Sequence, residues 1–549
     1  MTLYETIEKN GIDNPEGIAC KYFNYFMTHG ELLEKVNIMA GAMIKRGIAV
    51  GDKVGICLPN SPELLVIFYA INKIGAVSVM INPKSPSNEL SRQLNMTKCK
   101  CLFFSRIAIN AVVKMKDSCT DIYVCVPIMP HMPLHIKAFL AKKVITGSSI
   151  SDFKKKYKNA YTVNEFLKKT AAVSKTTDDS KDAVVIFSGG TNGTFKAVVH
   201  SSASFEQSAV YCLETEKPLP DVVTMMGILP AFHIFGLTVA IHLPLYAGGT
   251  VVLVPVFNMG IITDIIKKEC PAFFPGVPTI FERLLDYPRF ERLAAKGRLN
   301  FEQFRHGFVG GDNLTDDVRD RFNAIIKSNG GNGYISMGYG MSECCPISVN
   351  NRESGYKESI GIPFGDMNIR ILDENSDREL NEGETGEIVI ASKHLMSYGL
   401  DEDGNITEPF SDSEGRKWLR TGDIGYFLNG QLYYKCRQRR IIKVSGNTVF
   451  ASSIEKILVD NLDIAKAAYV VPIPHSTRGH GAFVFVVTGQ EVDDDNLLTA
   501  VRNLCRNRMI PYAIPVGAAH IEEKEIPYTA VGKVAWGLLE KRAADFMKK

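Results

Sequence analysis

The chain has 549 residues, with 45% hydrophobic and 22% charged positions, which excludes a disordered protein and suggests roughly two to four folded domains. Its 63 Lys and Arg against 60 Asp and Glu leave a net charge of +3, so the concentrated basic footprint of a nucleic-acid binder is missing. Twelve irregularly spaced cysteines, behind an amino terminus without a secretory pattern, indicate free thiols in a reducing cytoplasm.

Residues 32–46 carry an amphipathic helical pattern that ends at Gly47. Residues 53–58 read as a strand, 63–74 as a helix ending at Gly75, and 76–81 as a second buried strand. Strand, helix, strand is the signature of a parallel sheet with helical crossovers. The apolar run 64–71 is bounded by Pro62, Glu63, Asn72 and Lys73, well short of the ~20 residues that span a bilayer.

Residues 127–144 mix apolar positions with His131, His135, Lys137, Lys142 and Lys143, the pattern of a solvated surface helix. Peripheral membrane contact is the other use of such a face. Cys99 and Cys101 with His131 and His135 have the residue types of a zinc site, but Pro130 and Pro133 break the helix that would align the histidines.

After the polar stretch 175–182, strands are predicted at 183–187, 222–229, 250–255 and 304–309, with helices between them. From Ile360 the character changes, and short strands at 368–372, 386–391 and 431–435 separated by glycine-rich turns predict a β-rich subdomain. Beyond Arg437 a helix at 453–460, strands at 467–472 and 482–488, and a helix at 493–509 fit a smaller α+β unit. The predicted fold is α/β. A large domain, 1–436, combines two parallel-sheet αβ subdomains with a β-rich one, and a small α+β domain occupies 437–549.

The segment 187–197, FSGGTNGTFKA, comes after an apolar strand and gathers Gly189, Gly190 and Gly193 with Ser188, Thr191 and Thr194. Glycines let successive backbone N–H groups face one concavity, hydroxyls add donors, and Lys196 adds a point charge. That chemistry suits phosphates, although a plain glycine-rich turn is the simpler alternative and the Walker A spacing is absent.

Other segments accompany it along the chain: LPAFHIFGL at 229–237, FVGGDNL at 308–314, GYGMSE at 338–343, KWLRTGDIG at 417–425, KVSG at 443–446 and IPYTAVGK at 526–533. Taken singly, His233 reads as a core histidine, Glu343 as a surface acid and Lys533 as a solvated charge. In this order, and with 51–63 and 75–83 before them, the segments resemble the adenylate-forming superfamily of acyl-CoA synthetases, aryl-CoA ligases, luciferases and peptide-synthetase adenylation domains. The resemblance runs from about residue 32 to 533.

The resemblance implies a role for each segment. Ser188, Gly189, Gly190, Thr191, Asn192, Gly193 and Lys196 would cradle the phosphates of ATP, with Asn192, Phe195 and Ala197 replacing the usual Thr, Pro and Gly. His233 would border the carboxylate and α-phosphate; Gly310, Gly311 and Asp312 would line the adenine side. Gly338, Tyr339, Gly340 and Ser342 would carry the aromatic and hydroxyl contacts to the nucleotide, and Glu343 would hold Mg2+. Asp423 would accept the ribose hydroxyls, and Arg437 comes after it, with Cys436 where glycine is usual. Lys443, Ser445 and Gly446 would line the approach of the thiol once a mobile carboxyl-terminal domain turns about Arg439, and Lys533 would be the catalytic cation.

The implied reaction is the ATP-dependent activation of a carboxylic acid as acyl-AMP, then transfer to coenzyme A. Amino-acid-activating relatives usually place an Asp in the His233 segment to bind an ammonium group; Ile234 and Phe235 there favour an apolar acid instead, a medium- or long-chain fatty acid before an aryl acid. An acyl carrier protein is the alternative acceptor, and a non-catalytic adenylate-binding protein the third reading. Cys344 and Cys345 read as packed thiols.

Overall fold

The computed structural model describes residues 2–127, 148–173, 181–189, 195–350, 358–373, 376, 378–444, 447–475, 479–489, 492–506, 508–509, 511–528 and 534–548. The segment 128–147, with His131 and His135, lies outside them, as do Gly190 to Thr194, Ser445, Gly446 and Lys533. The chain divides into two compact units. The first holds Met1–Ser188, Phe195–Asn368 and Ala391–Leu419; the second holds Ile369–Ile390 and Arg420–Lys549.

The first unit is built on two sheets. One has nine strands in the order Ile406–Thr407, Tyr398–Asp401, Phe195–His200, Val184–Gly189, Val77–Met80, Lys53–Cys57, Cys101–Ser105, Ile122–Val126 and Ala160–Thr162. From Val184–Gly189 onward every pair is parallel. Val77–Met80, Cys101–Ser105 and Ile122–Val126 are buried throughout, and most of their residues are accordingly apolar. The crossover helix Pro62–Lys73 starts where Ser61 caps the Leu64 N–H and Pro62 takes the first turn.

The other sheet runs from the hairpin Ile18–Tyr22 and Tyr25–Thr28 through the parallel strands Thr250–Leu253 and Thr224–Gly227. Bridges at Phe273 continue it to His306–Val309, then Tyr334–Met341, Cys344–Val349 and Ile362–Pro363.

The second unit shows how alternation builds a two-faced layer. One of its sheets pairs Asn447–Phe450, Ile441–Val444, Gly479–Thr488 and Ala465–His475, with Gly517–His520 alongside. Val470, Val484 and Val486 pack with Ile454, Leu458, Leu497 and Val501 of the helices Ala451–Asn461 and Asp494–Arg506. The alternate positions Val471, Phe483 and Phe485 pack instead with Leu539 and Ala543 of the helix Trp536–Phe546.

One buried carboxyl in the first unit has a testable cost. Glu206, on the helix Ser202–Thr215, is 8% exposed and accepts a hydrogen bond from the Thr6 hydroxyl at 2.9 Å. Burial pushes its carboxyl up to about 7. A carboxyl raised in the folded state binds its proton more tightly there, so its contribution is complete below the unfolded value and is lost as pH rises to about 7. Glu206→Gln keeps the acceptor for Thr6 and removes the charge. Chemical denaturation should show the variant gaining on the parent between pH 4.5 and 7, by at most about 3 kcal/mol.

Candidate active site

The strand Val184–Gly189 delivers the glycine-rich loop at the carboxyl end of a parallel sheet, where open α/β folds bind ligands. The chain re-enters as the strand Phe195–His200, and the Ser188 hydroxyl donates to the Lys196 carbonyl at 3.5 Å. Sequence reading left 195–200 without a strand. Two of its side chains, Lys196 and His200, organise the neighbouring turn at Ser342 and Glu343.

Lys196 reaches Glu343, its Nζ 3.5 Å from Oε1, with the side chains 30% and 14% exposed. Glu343 sits with Ser342 in the tight turn between Tyr334–Met341 and Cys344–Val349, where Met341 pairs with Cys344. The residue types expected to meet phosphate and metal, far apart in sequence, therefore stand side by side.

The backbone of that turn is held from two directions. The Met396 N–H donates to the Glu343 carbonyl at 2.8 Å, and His200 Nε2 lies 2.8 Å from the Ser342 carbonyl. Burial holds His200 below its ordinary range, and a carbonyl can only accept, so the neutral ring donates through Nε2–H. One strand thus positions the turn twice, Lys196 at the side chain and His200 at the backbone. His200 carried no signal in the sequence beyond ending an apolar run.

Lys196 lies over Gly399, which pairs with Val198 on the neighbouring strand. A Cβ at Gly399 would come within 2.2 Å of Lys196 Cε. Gly399→Ala should therefore displace the ammonium rather than the backbone. Acid-dependent pyrophosphate exchange should fall roughly tenfold, while the thermal midpoint moves by less than about 2 °C.

The segment expected on the adenine side also assembles. Gly310 comes directly after the strand His306–Val309 and its N–H donates to the Gly276 carbonyl at 3.0 Å. A Cβ there would stand 3.2 Å from the Gly338 carbonyl and 3.3 Å from Phe235 Cε1, so the two glycine segments and the chain after His233 converge. Gly311 has φ +86°, a left-handed value that glycine adopts freely. Asp312 is exposed and its carboxylate accepts the Asn313 N–H at 2.8 Å, a local turn contact. Tyr339 is partly buried opposite Ser348, and Gly340 faces Cys345.

His233 is partly buried beside the Phe232 ring at 4.7 Å. Its carbonyl accepts from Leu237 at 2.9 Å as the π-helical turn Gly236–His242 begins. Ahead of it, the buried Asn60 side chain donates to the Gly227 and Leu229 carbonyls at 2.9 and 2.8 Å and accepts the Ala231 N–H at 3.0 Å. Cys344 and Cys345 are buried, and burial pushes both thiols up, Cys345 to about 12. They are packed, not nucleophilic.

In the second unit, Asp423 and Arg437 face each other across the hairpin Lys417–Leu428 and Gln431–Arg437. Arg437 Nε stands 2.9 Å from Asp423 Oδ1, the acid being 1% and the arginine 47% exposed. Such a buried carboxylate needs its cation. The Asp423 N–H also donates to Thr421 Oγ1 at 3.0 Å. Cys436 is buried opposite Ile424, a small side chain that this packing accepts in place of glycine. The strand Ile441–Val444 carries Lys443. The stems of the last motif are fixed by the Tyr528 and Val534 bridge and by Ala535 N–H to the Pro527 carbonyl at 2.8 Å.

A family model described as AMP-binding enzyme matches residues 7–398, and its carboxyl-terminal domain matches 453–533. The chain belongs to the AMP-binding enzyme family. A long-chain-fatty-acid–CoA ligase of Bacillus subtilis is 26% identical over 547 residues, covering 97% of this chain and 93% of that protein. The 4-coumarate–CoA ligase 2 of Petroselinum crispum is 26% identical over 498 residues, covering 88% of this chain and 83% of its own. Among solved structures, the anthranilate CoA ligase AuaEII in complex with anthranoyl-AMP superposes with a TM-score of 0.78 at 17% identity, covering 100% of this chain and 98% of that one. The α/β fold and the enzyme class of AMP-forming ligases, expected from the sequence, are those of this family. Among the described residues no helix is long and apolar enough to cross a membrane.

Proposed function

We propose that this protein is an acid–CoA ligase that converts a medium- or long-chain fatty acid into acyl-AMP with release of pyrophosphate, then passes the acyl group to coenzyme A in the cytoplasm. The observation that carries the reading is the 3.5 Å approach of Lys196 to Glu343, a cation from the phosphate-type loop beside a carboxylate of the nucleotide-type turn. The family supports the adenylation chemistry.

Fatty acid is favoured by the buried Ile234 and the partly buried Phe235 beyond His233, and by the bacterial relative's name. An aryl acid is the second reading, favoured by the plant relative at the same identity.

The carboxylate of the acid attacks the α-phosphorus, and negative charge grows on oxygens that already repel the nucleophile. Lys196 and the glycine-rich loop hold the phosphates, His233 orients the carboxylate, and Asp423 holds the ribose. Glu343 offers the hard oxygen donor that suits Mg2+, which supplies positive charge to the phosphates when bound. The domain 437–549 brings Lys533 to the reacting phosphorus. It then turns so that Lys443, Ser445 and Gly446 admit the thiol.

Acid-dependent exchange of labelled pyrophosphate into ATP, across a panel of fatty and aryl acids, tests the first step. Thioester formation with CoA tests the second. No exchange with any acid would leave a non-catalytic binder. Thioester formed on a carrier protein but never on CoA would reassign the acceptor.

A further inference from the structure

Phe195 stands where the family resemblance expects proline, immediately before Lys196. Proline has no N–H and a fixed φ, so it closes such a loop stiffly and leaves no donor to satisfy. Phenylalanine does the opposite: it frees the backbone and introduces an N–H at the loop's end. The structure supplies both missing elements from outside the loop.

The Phe195 N–H donates to Glu402 Oε1 at 2.9 Å. The same oxygen lies 3.0 Å from Arg92 Nη2, and the Arg92 guanidinium stands 4.7 Å from the centroid of the Phe195 ring. Backbone, carboxylate, guanidinium and ring form a closed circuit. Phe187, at the other end of the loop, packs its ring edge-to-face on Phe195 at 6.3 Å. Glu402 is the neighbour of Asp401, which pairs with Lys196.

We propose that Glu402 and Arg92 are positioning residues for ATP, a clamp that takes over the rigidity a proline would give and fixes where Lys196 enters the site. The inference rests on the proposed function, in which 188–196 holds phosphates. An exposed ion pair alone contributes little. Here the carboxylate also accepts a backbone N–H, a charge-assisted bond that orders main chain. Arg92 in turn covers the Phe195 ring, which Phe187 meets edge-to-face.

The test measures KM for ATP and for the acid in pyrophosphate exchange, with ATP binding by calorimetry and thermal melting alongside. Glu402→Ala should raise the KM and Kd for ATP about tenfold, with the KM for the acid within about twofold and the melting midpoint nearly unchanged. Glu402→Gln, which keeps an acceptor oxygen for Phe195, should lose much less. Phe195→Pro combined with Glu402→Ala should recover most of the ATP affinity, because proline needs no acceptor.

Unchanged ATP parameters in Glu402→Ala overturn the clamp, as does equal weakening toward ATP and acid. If the proline variant melts early, the alanine-against-glutamine comparison decides, and equal losses there overturn the clamp. A native chain that neither binds ATP nor exchanges pyrophosphate overturns the proposed function, and the clamp with it. A native chain that exchanges, indifferent to Glu402, overturns the clamp alone.

Discussion

Lys533→Ala is expected to lower the rate of acid-dependent pyrophosphate exchange roughly a hundred- to thousandfold, the ~3–4 kcal/mol that one pre-aligned charge contributes to a transition state. The charge it meets exists fully only as the phosphoryl oxygens gather electron density, so binding of ATP and of acyl-AMP should change far less. Thioester formation from supplied acyl-AMP and CoA should keep most of its rate, since the proposed mechanism withdraws the lysine in that step. A variant that exchanges pyrophosphate at the parent rate removes Lys533 from the chemistry. One that loses both half-reactions equally shows a damaged domain. The described stems make the second outcome a fair control: the Tyr528 and Val534 bridge and the Ala535 to Pro527 hydrogen bond belong to backbone that the substitution leaves alone.

How legible each element was in the sequence depends on where it is buried. Lys53–Cys57 and Val77–Met80 are almost wholly buried, so most of their residues are apolar and the strands were readable. Phe195–His200 was not, because Lys196 and His200, the two side chains it brings to the turn, leave only Ala197 to Val199 as an apolar run between them. The hairpin strand Tyr334–Met341 was hidden by Gly338 and Gly340, whose lack of side chains belongs to the site and not to the strand. The π-helical turn Gly236–His242 has no 3.6-residue period to detect.

The same division holds for the site. Motif order named Lys196, Glu343, Asp423 and Arg437, but spacing could not say that the first two meet or that the last two pair across a hairpin. Those facts depend on sheet register. The neighbouring residues were less visible still: Gly399, Glu402 and Arg92 belong to no motif, and only the folded chain brings them against Phe195 and Lys196.

Asn60 makes the point most sharply, and its replacement should cost the most in stability. It lies in the early segment whose likeness to the family assigned it no chemistry. Yet its 4%-exposed side chain spans Gly227 to Ala231 with three hydrogen bonds, all to buried main chain. Alanine leaves the Leu229 carbonyl and the Ala231 N–H without this partner, while the Gly227 carbonyl keeps the Val254 N–H at 3.0 Å. Net bonds of about 1 kcal/mol each, plus the desolvation of stranded groups, put the loss near 3 kcal/mol by denaturant titration. Function should move with it in a particular direction. His233 lies two residues beyond Ala231, so the loosened segment should raise KM for the acid more than KM for ATP. Asn60→Asp separates the two polarities: it keeps an acceptor for Ala231 but turns an oxygen toward two carbonyls, so it should be no better than alanine. If aspartate restores stability, the donor half of the contact carries no weight and the anchoring role assigned to Asn60 is wrong.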